Sequence, residues 1–170
     1  VELVAYTLEE PPYFATNAMG SHVHAKSLKD NNVNVKLMIS LEMIGYFSDE
    51  PNSQEFPVSI LKLLYPTKGN FISIVGNFTN ILTIRNVKSK LQSASDLPVY
   101  SSNVPSFIPG VDFSDHRNYW IFGYDAIMIT DTAFYRNKNY HTTADTAEKL
   151  DYSRMAKVVE GVYKLLKELK

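Results

Sequence analysis

The sequence predicts an α/β fold, a three-layer sandwich in which a mixed, mostly parallel central sheet is flanked by helices. Three observations carry this. Short apolar, β-branched runs alternate along the chain with segments of helical periodicity. One run, Ala126-Ile-Met-Ile-Thr130, is apolar at nearly every position, as a strand buried on both faces is. From about Ser153, residues Met155, Val158, Val159, Val162, Leu165, Leu166 and Leu169 recur at helical spacing, and Lys157, Glu160, Lys164, Lys167, Glu168 and Lys170 make the opposite, wet face.

Taken in order, the first apolar run is Val1-Glu-Leu-Val-Ala-Tyr-Thr-Leu8, which reads as a strand stopped by Glu9-Glu10 and Pro11-Pro12. Asn17 to Lys29 predicts a helix with Met19, Val23 and Leu28 inward. Val33 to Leu41, Phe71 to Val75, Leu97 to Tyr100 and Ala126 to Thr130 predict strands, and Asn80 to Ser93 a helix with Ile81, Leu82, Ile84, Val87 and Leu91 apolar. Ser48 to Pro57 and Ser101 to Asp112 are loop-rich; loops of that length beside a sheet more often form functional walls than linkers. No domain boundary or internal repeat interrupts residues 1–170, which read as a single domain.

Bulk properties exclude several classes. A net charge of −1, from 17 basic against 18 acidic residues, leaves no basic footprint for nucleic acid. No apolar run approaches the ~20 residues needed to span a bilayer. With no cysteine, any metal must rest on His, Asp and Glu. The chain opens at Val1 inside a strand-like segment, with no initiator methionine and no signal-peptide pattern, so a preceding segment is expected.

Strand ends then supply the candidate chemistry. In open α/β folds the site lies beyond the carboxyl ends of strands, where Glu9 and Glu10 are expected. Glu42 follows Leu37-Met-Ile-Ser-Leu41 and joins them as a third acid. Asp115-His116 follows a Pro-Gly loop, and Asp131 ends the buried strand. Beyond it comes Tyr140-His-Thr-Thr-Ala-Asp-Thr146, where His141 stands as a loop imidazole suited to be a ligand. Paired carboxylates can divide the work of a hydrolytic metal centre, one on the cation and one on a proton.

The order of these motifs resembles the co-catalytic zinc aminopeptidases of the phosphorylase/hydrolase-like α/β fold, whose relatives include glutamate carboxypeptidases and glutaminyl cyclases. It is carried by Glu9-Glu10, Ser40-Leu-Glu-Met-Ile-Gly45, Ser114-Asp-His116, Tyr140-His-Thr-x-x-Asp-Thr146 and Lys149-Leu-Asp151, nearly end to end. A bacterial branch is closer still, through Glu9 to Phe14, Met19 to Ser21 and Leu41 to Tyr46.

The resemblance implies Glu9 as general base, Glu10 and His141 as ligands of one zinc, Glu42 as ligand of a second, and Tyr140 as the hydroxyl that steadies a developing oxyanion. Asp115, His116 and Asp145 would lie in the substrate pocket or behind the metal ligands. The family more often has Asp where Glu42 stands. It also supplies a His-x-Asp and a further Asp upstream of the glutamate pair, and only eight residues precede Glu9 here. The chain is therefore expected to be the C-terminal portion of a zinc peptidase catalytic domain, holding two zinc ions when intact and at most one, weakly, as it stands. Peptides are the expected substrate, and the family leans towards a secreted or periplasmic setting.

Each residue also has a plainer reading. Glu9-Glu10 fits a solvated strand end, Glu42 a loop acid and His141 a surface histidine. Asp145 with Glu148 three residues on resembles a capping box. His22 and His24, two apart on a helix, share no face. Two other functions remain open, an aminoacyl cyclotransferase of the glutaminyl cyclase type and a non-catalytic module that keeps the fold for binding. The oligomeric state and the preferred N-terminal residue are not encoded in any motif.

Overall fold

The structure, a computed structural model, describes residues 1–169. Lys170, the last of the predicted wet-face residues, lies outside the described residues.

The predicted layers are present. Four strands, β1 (Met38–Glu42), β2 (Ile72–Gly76), β3 (Val99–Asn103) and β4 (Ala126–Thr130), form one sheet in the order β1-β4-β2-β3. β1 runs parallel to β4 and β2 parallel to β3, while β2 and β4 are antiparallel, so the sheet is mixed. Four helices flank it: α1 (Gly20–Asp30), α2 (Ile81–Ala94), α3 (His116–Ile121) and α4 (Tyr152–Glu168).

Alternation along the strands sorts the side chains between two faces. Ile72, Ile74, Ile127 and Ile129 point to one face, where they meet Ile84, Val87 and Leu91 of α2 and Val158, Val162 and Leu165 of α4. All of these are under a tenth exposed, so this layer holds the main core. On the opposite face Met38 and Ala126 pack with Ala25 of α1 and Tyr119 of α3. Ser40, Glu42, Met128 and Thr130 follow Met38 and Ala126 at two-residue steps and share this second face. That alternation aims Glu42 away from the main core.

Several boundaries differ from the prediction. Val1–Leu8 is not a strand: it runs as an irregular surface segment with Val1 and Leu3 almost fully exposed. Among the described residues the sheet offers it no ladder, and its anchors are side-chain and single backbone bonds instead. The Tyr6 hydroxyl bonds His24 at 2.9 Å and Tyr119 at 2.6 Å, and Gly20 N–H donates to Thr7 O at 2.9 Å. A Cβ on Gly20 would stand 2.9 Å from Thr7 N, so only glycine lets the helix start approach this closely. β1 begins later than predicted and ends on Glu42 itself, and the aromatic run after Asp115 forms the short helix α3.

α4 is capped by Asp151, whose carboxylate accepts from Arg154 N–H at 2.9 Å. Asp145 caps nothing. Its backbone closes a turn on Thr142, and its side chain is taken by Asn137 instead. Among the described residues no helix is long and apolar enough to cross a membrane.

Candidate active site

Two chain segments bring the predicted residues together at the rim where β1 and β4 end. Glu42 and Thr130 are register partners at those ends. The segment after Tyr6 brings Glu9 and Glu10 to this rim, and the loop after β4 brings Tyr140 and His141. Nε2 of His141 stands 3.2 Å from Oε1 of Glu10, and the rings of Tyr140 and His141 stack with centroids 3.9 Å apart at 15°. Both members of the Glu10–His141 pair are more than half exposed, so the contact itself adds little stability.

Glu9, its neighbour, is half-buried. Burial, then the charges of Glu42, Asp115 and Glu10, push its carboxyl up to about 7. Glu42 is raised first by burial, with the Ser114 hydroxyl, which donates to Oε2 at 3.0 Å, acting against it and the charges of Glu10, Asp115 and Asp131 adding to it. Burial, then the charges of Glu42, Glu10, Glu9 and Asp131, push the Tyr140 phenol up to about 12. The rim is thus a set of mutually repelling acids, held together by the fold and attractive to a cation or a substrate ammonium.

Backbone strain gathers here. Leu8 before Glu9, Met43 after Glu42, Thr132 and Ala133 after Asp131, and His141 itself all take positive φ, between 45° and 80°. Non-glycine residues adopt that region at a cost, and five of the positive-φ residues gather beside these acids.

Asp131 is buried and ties the loops: its carboxylate accepts from the N–H groups of Gly45, Tyr46 and Ala133 at 2.7–3.1 Å. Burial still dominates and raises it to about 6. Asn137, also buried, donates to Asp145 at 2.8 Å and accepts from Asn139 N–H, which fixes the turn that carries Tyr140 and His141. Asp145 therefore supports the loop from behind.

Asp115 is part-buried, with its carboxyl raised by burial, and Oδ1 has no hydrogen-bond partner. His116 is fully buried, its Nε2 bonding Val111 O at 2.8 Å and its ring edge-on to Trp120. Burial pushes the imidazole down to about 4, so it is neutral and packed inside the fold. His24 joins the tyrosine pair that anchors Tyr6, and His22 packs on Phe122.

Sequence reasoning missed Ser40 and Ser114. Their hydroxyls are 2.7 Å apart, and Ser114 passes the contact on to Glu42. A signal existed: Ser40 lies two residues before Glu42 on one strand face, and Ser114 adjoins Asp115.

Carboxylate and imidazole are the donors that zinc takes in hydrolytic sites, so the chemistry of this rim fits that metal in kind. It falls short in number. Glu10 and His141 supply two ligands of the three or four required, and among the described residues no group of three His, Asp or Glu is arranged to hold an ion.

A sequence profile described as peptidase family M28 matches residues 1–166. The uncharacterised protein YfbL of Escherichia coli (strain K12) is 57% identical over 166 residues, which cover 98% of this chain and 50% of YfbL. The chain thus spans about half the length of that relative. Among solved structures, LapA of Legionella pneumophila superposes with a TM-score of 0.65 at 18% identity, over 88% of this chain and 36% of LapA. LapB from the same organism gives 0.63 at 18% identity, over 88% and 35%. At these identities the likeness is one of fold.

Proposed function

The chain belongs to peptidase family M28, and from that premise we propose that the protein is a zinc-dependent aminopeptidase, with Glu9 as general base and Glu10 and His141 as metal ligands. One observation carries the assignment: Glu10 and His141, from opposite ends of the chain, meet at 3.2 Å beside a Glu9 whose carboxyl is held near neutrality. The family is generally zinc-dependent, which agrees with the donor types present. The LapA structure solved as an aminopeptidase shares this fold.

Glu10 and His141 would hold one zinc, and Glu42 would contribute to a second. A zinc bound there would supply Lewis-acid polarisation of the scissile carbonyl and make water more acidic. Glu9, poised near neutral pH, accepts the proton of the attacking water at its carboxylate and later returns it to the leaving amine. Tyr140, raised to about 12, stays protonated and donates a hydrogen bond to the oxygen on which charge develops. Ser114 keeps the Glu42 carboxylate oriented through its 3.0 Å bond, and the Tyr140 ring stacks on His141.

Because the chain spans half of YfbL, the test uses the full-length protein. Purified with zinc, it should release p-nitroaniline from aminoacyl p-nitroanilides and lose that activity to a chelator. A zinc-loaded protein inert towards every aminoacyl substrate and peptide would overturn the proposal.

A further inference from the structure

Three consecutive residues of α3 reach across to the chain around the glutamate pair. Tyr119 bonds the Tyr6 hydroxyl at 2.6 Å, and Asn118 Nδ2 donates to Ser21 Oγ at 2.8 Å. These contacts hold the segment before Glu9 and at the start of α1. Arg117 takes the middle: its guanidinium carbon lies 5.1 Å from the centroid of the Phe14 ring. Phe14 also meets Phe113 edge-on, with centroids 5.9 Å apart at 74°. Arg117 is paired in turn with Asp112 at 3.4 Å, and both side chains are a quarter exposed or less, so the guanidinium is kept over the ring.

Phe14 is coupled to Glu10 through the backbone. The N–H groups of Tyr13 and Phe14 both donate to Glu10 O at 3.1 Å. Pro11 and Pro12, whose rings fix φ, lie between. Where Phe14 is held, Glu10 is therefore held as well. Among the described residues, the backbone bonds of residues 10–18 close within that segment and Met19, so side chains must tie it to the rest of the fold. Glu10 and Phe14 make two such ties, to His141 and to Arg117. The charges that act on Glu9 are those of Glu42, Asp115 and Glu10. Arg117 is engaged with Asp112 instead, so its influence on the glutamate pair runs through Phe14.

Resting on the aminopeptidase reading, we propose that Arg117 is a positioning residue whose guanidinium, seated on the Phe14 ring, latches the Glu9–Glu10 segment at the rim. A planar guanidinium is attracted to the face of an aromatic ring, which an aliphatic side chain of similar bulk does not offer. The latch is thus specific to the pair and not to the volume it fills.

The test uses the full-length, zinc-saturated protein and follows two quantities. One is kcat and KM on Leu p-nitroanilide, and the other is hydrogen exchange of the Tyr13 and Phe14 amides, read by mass spectrometry on the peptide that carries them. Arg117→Met should lower kcat about tenfold with KM nearly unchanged, because a displaced proton-transfer group costs turnover more than binding. It should also speed exchange of the two amides about tenfold, since the turn on Glu10 opens more often. Phe14→Leu, which also stands in if the first variant does not fold, should do the same, and the double variant should add little to either single one. Arg117→Lys returns a cation to the ring and should recover about half or more of the lost kcat. An unmoved exchange rate, effects that multiply in the double variant, or a rise in KM alone overturns the proposal. If no substrate turns over, the aminopeptidase reading fails and exchange decides the latch separately. Faster exchange in Arg117→Met that Phe14→Leu does not increase further keeps it, and the parent's rate in both removes it.

Discussion

Nε2 of His141 lies 3.2 Å from Oε1 of Glu10, which joins the loop after the central strand β4 to the segment that precedes α1. Both side chains are largely exposed, so the pairing reflects where the fold puts two donors more than an energetic need for an ion pair. Two ligands of one ion act as a unit, and their losses are then not additive. Glu10→Ala and His141→Ala should each weaken zinc binding by about tenfold or more, and the double variant should lose far less than the product of the two. Zinc titration with a competing chelator measures this; strict additivity would mean that the residues serve different sites.

Gly20 is where the helix start admits Thr7, with the missing Cβ only 2.9 Å from Thr7 N. Gly20→Ala drives a Cβ to 2.9 Å from the Thr7 backbone, so the contact must open and the protein should lose about 1 kcal/mol or more of stability despite the gain in helix propensity. The segment that holds Glu9 must shift, and kcat should fall by about tenfold, since small misplacements of a proton-transfer group are costly. Urea unfolding beside steady-state kinetics checks the split.

Tyr140→Phe removes the hydroxyl while keeping the ring stacked on His141. If the hydroxyl acts on charge that develops in the transition state, kcat should fall about a hundredfold with KM nearly unchanged. A rise in KM alone would make Tyr140 a substrate-binding group.

Two buried groups contribute with opposite sign to the pH dependence of stability. His116, lowered from 6.5 to about 4, stays neutral when folded, so it disfavours folding as pH falls through that window, by about 3 kcal/mol in all. Asp131, raised from 3.8 to about 6, favours the folded state at low pH, and that contribution is lost as pH rises through 6. Between pH 4 and 6 the two oppose one another. Asp131→Asn removes one, so stability of the variant should rise more steeply with pH over that range than the parent's. Urea melts at intervals of half a unit or so test it, and identical slopes would contradict it.

Much of this fold is legible in the sequence where burial is two-sided or periodic. β4 is apolar from Ala126 to Ile129, and β2 is apolar except at Ser73, because both faces are covered, and α4 repeats its apolar residues at helical spacing. Val1–Leu8 has the composition of a strand, but strand formation depends on a partner ladder, which composition does not encode. Of the site, Glu42 and His141 are readable from their positions at and beyond the ends of β1 and β4, whereas Glu9 and Glu10 are expected at the end of a strand that does not form. Ser40, Ser114 and Asn137 are not readable, because they act through contacts between distant segments. His116 was ambiguous for a related reason: the motif around it gives no sign that its ring is fully buried beside Trp120.

The central claim divides the glutamate pair, with Glu9 on the proton and Glu10 on the metal. Zinc content and turnover of Glu9→Gln and Glu10→Gln, measured together in the full-length protein, test it most directly. Glu9→Gln should keep its zinc and lose kcat by at least about a hundredfold, while Glu10→Gln should lose zinc and activity together. Zinc lost from Glu9→Gln but retained by Glu10→Gln would contradict the account.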